Sequence, residues 1–200
     1  GLVIAELSID KKLLEAVYPT YNIISCAEAT SNNANLTGIL YGPRSDKDNI
    51  NDMIFDARTK GFSELIKRRF VIGSYVLQKE NQDKLFLNAC RVRRIIVDKI
   101  NDLFKEYDGY ILPTCGIAPL LEDASDKLTE EYLILENHLQ IGNFGGFPSI
   151  TIPCGYVNNM PISINLTGRA KEDSLVLNMA YHISNKLGNH DIIARRDNDV

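Results

Sequence analysis

Ser149-Ile150-Thr151-Ile152-Pro153, the polar stretch Val157-Asn158-Asn159-Met160, and the run from Pro161 to Leu166 follow one another in the chain. Two short runs rich in β-branched residues, separated by an Asn-Asn turn, predict a β-hairpin. Upstream, Tyr110-Ile111-Leu112 reads as a further short strand ending at Pro113-Thr114, and strand ends are where loops carry sites. Between them, Leu128 to Gly142 reads as helix. Downstream, Leu175, Val176, Met179 and Ile183 mark the apolar face of a helix that starts near Lys171 and stops at Gly188.

Further out, Gly1-Leu2-Val3-Ile4-Ala5-Glu6-Leu7-Ser8-Ile9 reads as a strand, and a chain that opens on a core element, without Met, is expected to come from a larger polypeptide. Leu13, Leu14 and Val17 share a helical face that Pro19 is expected to interrupt, with a second helix resuming over Tyr21 to Ala34. Gly38, Gly42, Pro43 and Arg44 to Asp48 form a loop. Short helices follow over Asp52 to Arg58 and Glu64 to Leu77. The clearest periodicity is the stripe Leu85, Ala89, Val92, Ile96, Ile100, Leu103 of a long amphipathic helix. Strands separated by long helices indicate an α/β fold, a mixed sheet flanked by helices, in which the final strands pair with each other and adjoin either the Gly1 to Ile9 or the Tyr110 to Leu112 strand.

The 200 residues are 44% hydrophobic and 24% charged, the balance of a globular protein with a sizeable core. No apolar run approaches the roughly 20 residues of a membrane span, and no targeting pattern opens the chain, so the cytoplasm is the expected location. A net charge of −4 offers no overall attraction to nucleic acid. Cys26, Cys90, Cys115 and Cys154 match neither a zinc pattern nor a disulfide framework and are expected reduced and mostly buried. His138, His182 and His190 have no metal-type partner at helical spacing, so no metal site is expected.

No nucleophile elbow, Gly-rich phosphate loop or zinc-protease motif is present. Lys67-Arg68-Arg69 stands out in an otherwise mixed helix, with Gly73 on the face of Arg69, where a missing Cβ permits close approach of a backbone or ligand. Arginines on a helix more often form a solvated face or an ion pair than a ligand clamp. Arg91, Arg93 and Arg94 alternate with the apolar stripe and are followed by Asp98 and Asp102, which makes them a solvated face. Asn143-Phe144-Gly145-Gly146-Phe147-Pro148 leads into the hairpin, its glycines serving tight packing.

Tyr21-Asn22-Ile23-Ile24-Ser25-Cys26-Ala27-Glu28-Ala29-Thr30-Ser31-Asn32, with Gly38 and Tyr41-Gly42 after it, resembles a block of the amidase signature family. Gly61-Phe62, Lys67-Arg68-Arg69 and Gly73-Ser74-Tyr75-Val76-Leu77 are similar to the branch formed by A subunits of glutamyl-tRNA(Gln) amidotransferase. Pro113-Thr114, Phe147 to Gly155 and Met160-Pro161 match later family blocks in the same order. Departures are Asn33, Asn35, Thr37 and Leu40 in the first block, and Ser163 and Asn165 where the branch commonly has Gly and Gln.

The resemblance implies that residues 1–200 are the C-terminal part of a single larger amidase domain. It implies glutamine hydrolysis at a serine of a Ser-Ser-Lys triad lying upstream of the matched region, so that this chain contributes no catalytic residue and is inactive alone. The ammonia would serve a B subunit that amidates Glu-tRNA(Gln), in a complex with a small C subunit. The chain itself needs no cofactor; ATP and magnesium belong to the partner subunit. Matched residue by residue, Tyr21, Arg69 and Glu136 fall where the branch holds the substrate glutamine, with Glu136 in place of a commoner Asp. A guanidinium can pair bidentately with the α-carboxylate while an acidic side chain accepts hydrogen bonds from the α-ammonium. The alternatives are a stand-alone amidase of the same family and a non-catalytic interaction module that keeps the fold.

Overall fold

The computed structural model describes residues 3–114, 137–158 and 160–188. They divide into two compact units, one drawn from residues 1–18 and 94–200 and the other from residues 19–93.

The first unit holds the sheet. Strands β1 (Gly109–Pro113), β2 (Ser149–Val157) and β3 (Met160–Gly168) lie in the order β1-β3-β2, and all described neighbours are antiparallel. The predicted hairpin is therefore present, and Tyr110 to Leu112 is the strand that adjoins it. β2 runs further than its apolar core suggested, because the register shifts between Pro153 and Gly155 and re-forms through Tyr156 and Val157. Pro153 is tolerated because β2 lies at the edge of the sheet among the described strands. Asn158, at φ 51°, makes the turn in the left-handed region that Asn accepts more readily than most residues.

Helix α7 (Asp173–Leu187) covers one face of the sheet, burying Val176 and Ala180 against Ile152 and Leu166. It ends where the sequence predicts, with Gly188 in the left-handed conformation and its N–H bonded to the Ser184 carbonyl. On β1, Tyr110 stacks on Phe104, which also meets Phe147 edge to face. Phe147 follows helix α6 (Gln140–Gly145), which is preceded by a 3-10 turn over Asn137–Leu139.

The opening residues correct the sequence reading. Residues 3–10 form no strand. Val3 and Ile4 are almost fully exposed, and an extended apolar run becomes a strand only when a neighbour pairs its backbone groups. Asp10 then caps helix α1 (Lys11–Asn32), its carboxylate accepting from the Lys12 N–H at 2.9 Å.

Helix α1 corrects a second expectation, because it passes through Pro19 without a break. Proline removes one hydrogen bond and costs about 3 kcal/mol in a helix interior. Buried Val17 and Thr20 before and after it, and Ile24, Cys26 and Ala27 beyond, hold the helix on course while Pro19 itself faces solvent.

The second unit is helical. After α1 come a 3-10 turn at Asn33–Asn35, a loop, α2 (Ile50–Gly61), α3 (Glu64–Val76) and α4 (Lys79–Gln82). A π-helical turn, Asp83–Leu87, leads into α5 (Asn88–Leu103), which continues into the first unit. The predicted stripe is buried or half-buried at every position, whereas Arg91, Arg93 and Arg94 are exposed. Arg94 pairs with Asp98 at 2.9 Å, as a solvated helix face does. Arg58 anchors the loop entrance by donating to the carbonyls of Asn33 and Leu36 while lying over the rings of Phe62 and Phe70.

Candidate substrate-binding site

The three basic residues of α3 separate once the helix folds. Lys67 pairs with Glu64 at 2.8 Å, Arg68 is exposed, and Arg69 turns with Gly73 and Val76 toward the packed side of the helix, where it is half-buried. Ser63 caps the first turn by accepting from the Ile66 N–H.

Helices α1 and α3 meet at Gly73. A Cβ there would lie 2.1 Å from the Cys26 carbonyl oxygen and 2.1 Å from the Thr30 hydroxyl oxygen, so no other residue fits without moving the helices apart. The close approach that the sequence suggested is made by backbone. Cys26 is fully buried and its thiol donates to the Asn22 side-chain oxygen at 3.3 Å. Burial pushes the Cys26 thiol up from its ordinary range, and the positive charge of Arg69 works in the opposite direction. Arg69 thus shares the face of α3 on which Gly73 meets α1.

Tyr21 is half-buried, one residue before Asn22 on the same helix. The structure thus carries Tyr21 and Arg69 on two helices that pack together. Glu136 lies outside the described residues. The role of Thr30 at the contact was not foreseen from sequence, since a threonine within a small-residue helix carries no signal of its tertiary partner.

In the first unit, the strand end Pro113-Thr114 has a different character. Among the described residues Thr114 Oγ1 and Gln140 Oε1 are buried without a hydrogen-bond partner, and His138 lines a cavity of about 680 Å³ that is walled by apolar residues of the opening segment and β1. Cys26, Cys90 and Cys154 are free thiols, of which only Cys26 is fully buried. Among the described residues no cluster of three His, Cys, Asp or Glu side chains could hold a metal ion, and no helix is long and apolar enough to cross a membrane.

The sequence pattern of the amidase family matches residues 1–177. This chain belongs to the amidase family. Among its relatives, an A subunit of the glutamyl-tRNA(Gln) amidotransferase of Clostridium acetobutylicum is 34% identical over 175 residues, which is 87% of this chain and 36% of the relative. The corresponding protein of Clostridium kluyveri is 33% identical over 194 residues, covering 96% of this chain and 39% of the relative. This amidase-family chain thus spans well under half the length of the curated relatives it matches. A crystal structure of an amidase superposes with a TM-score of 0.62 at 20% identity, over 88% of this chain and 36% of the other, which establishes the shared α/β fold.

Proposed function

We propose that this chain is the C-terminal, substrate-side part of the glutaminase subunit of a tRNA-dependent amidotransferase, working with B and C subunits to convert Glu-tRNA(Gln) to Gln-tRNA(Gln). Similarity to A subunits over most of the chain supports the branch. The observation that carries the substrate assignment is Arg69, half-buried on the face of α3 that meets α1 at Gly73, where a guanidinium can pair with a carboxylate.

In this reading Arg69 pairs with the α-carboxylate of glutamine, Glu136 accepts from the α-ammonium, and Tyr21 completes the pocket. Together they select an amino acid over a plain amide. A serine supplied by the remainder of the domain attacks the side-chain amide, releasing ammonia and leaving an acyl-enzyme that water hydrolyses to glutamate. ATP and magnesium act in the partner subunit, where the ammonia is consumed. Positioning residues without a nucleophile form no acyl intermediate, so the purified 200-residue chain is expected to release no glutamate from glutamine.

The test is steady-state glutamine hydrolysis by the holoenzyme compared with hydrolysis of an aliphatic primary amide that lacks the α-carboxylate. A strong preference for glutamine that Arg69→Ala abolishes supports the proposal. Equal rates on both amides would instead identify a stand-alone amidase.

A further inference from the structure

An arginine that recognises a carboxylate through two parallel hydrogen bonds works only if its backbone is held to within a fraction of an ångström. The contact that holds α3 at this point has an unusual composition. Gly73, one turn after Arg69 and on its face, leaves a gap between the helices that is too small for any Cβ. The Thr30 hydroxyl occupies the edge of that gap. Its single proton is shared between the Cys26 carbonyl of its own helix, at 2.8 Å, and the Phe70 carbonyl of α3, at 3.3 Å. Phe70 is the residue next to Arg69, so the bridge reaches α3 one peptide from the functional side chain. The same turn of α1 carries Cys26, the buried residue on which the Arg69 charge acts.

Van der Waals packing alone would let two helices slide along each other by small amounts, because neighbouring apolar contacts are nearly equivalent. A directional hydrogen bond between one hydroxyl and one carbonyl removes that freedom. Glycine at 73 sets how closely the helices approach, and Thr30 sets where along α1 that approach is made.

We propose that Thr30 is a positioning residue for Arg69, fixing through the Phe70 carbonyl the depth at which the guanidinium meets the carboxylate of an α-amino-acid substrate. This rests on the reading of Arg69 given above. Thr30 touches no substrate, and its effect is on recognition rather than on bond breaking.

The experiment measures KM and kcat of the holoenzyme for glutamine and for an aliphatic primary amide without an α-carboxylate, in wild type, Thr30→Val, Thr30→Ser and Arg69→Ala. Thr30→Val keeps the shape and removes the shared proton. It is expected to raise KM for glutamine about tenfold with a much smaller change in kcat, and to narrow the preference for glutamine by a similar factor. Thr30→Ser restores the hydroxyl and should recover most of the loss. If Thr30→Val does not accumulate as folded protein, Thr30→Ala is read in the same way. An equal loss on both amides, or an unchanged preference accompanied only by a lower Tm, overturns the proposal and leaves Thr30 as a structural link. If Arg69→Ala leaves the preference unaltered, the glutamine reading itself fails. If Arg69→Ala acts and Thr30→Val does not, only the positioning role fails.

Discussion

Tyr110 on β1 stands directly opposite Thr167 on β3 as its register partner. Thr167 is buried and gives its own proton to the Asn165 side-chain oxygen at 3.0 Å. Burial is the larger influence on Tyr110 and pushes its ionisation above the ordinary tyrosine range, with the Thr167 side chain acting in the opposite direction. In the folded protein the phenol keeps its proton at pH values where the unfolded chain has lost it. Its contribution is fully present below the unfolded value, near pH 10, and is lost as pH rises from there through the folded value. Denaturant unfolding across the alkaline range should show this decline, and Tyr110→Phe should flatten it while costing about 0.5–1.5 kcal/mol at neutral pH.

Arg69→Ala should lower kcat/KM for glutamine by roughly a hundredfold in the holoenzyme, because a desolvated charge-assisted pair is worth about 2 to 3 kcal/mol. Amidation driven by added ammonia bypasses the glutamine pocket and is expected to persist. Equal loss in both reactions would make Arg69 a folding or interface residue.

Gly73→Ala should destabilise the helical unit by about 1–3 kcal/mol, since the new methyl meets the Cys26 carbonyl, a backbone atom that cannot rotate away. Gly61 provides the contrast, with nothing within 4 Å of its Cβ position. Gly61→Ala is expected to be neutral or slightly stabilising by up to about 1 kcal/mol. Paired chemical denaturation curves check both substitutions.

Pro19→Ala should restore a backbone hydrogen bond inside α1 at an exposed position and remove no packing. A gain of about 1–2 kcal/mol is expected after allowing for the greater freedom of the unfolded chain. A loss of stability in a thermal melt would mean that the proline is required for the course of the helix.

Periodicity was readable wherever an element is defined by its own residues. The Leu85 to Leu103 stripe, the hairpin and the Gly188 stop all follow from local pattern. The reading failed at Val3 to Ile9 and at Pro19 for one shared reason. A strand exists only with a partner, and a helix survives a proline only if burial on both sides outweighs the lost bond; both conditions are tertiary. The site shows the same division. Arg69 and Gly73 were visible as a helix face, and Gly73 proved to need its missing side chain. Thr30 was visible only as part of a family block, because its second carbonyl belongs to Phe70, far along the chain. Glu136 lies outside the described residues.

The strand order has a consequence for how the chain is made. Among the described strands β3 is the last to be synthesised, and it occupies the middle of the sheet. β1 therefore leaves the ribosome before the strand it joins, and Gly109 finds its partner only when Gly168 has been added. The β2–β3 hairpin closes locally and quickly, whereas docking β1 requires closure of the long segment between them. Until then the backbone groups of Gly109 to Pro113 lack their β3 partners, and the strand presents an unpaired edge of the kind that favours misassembly.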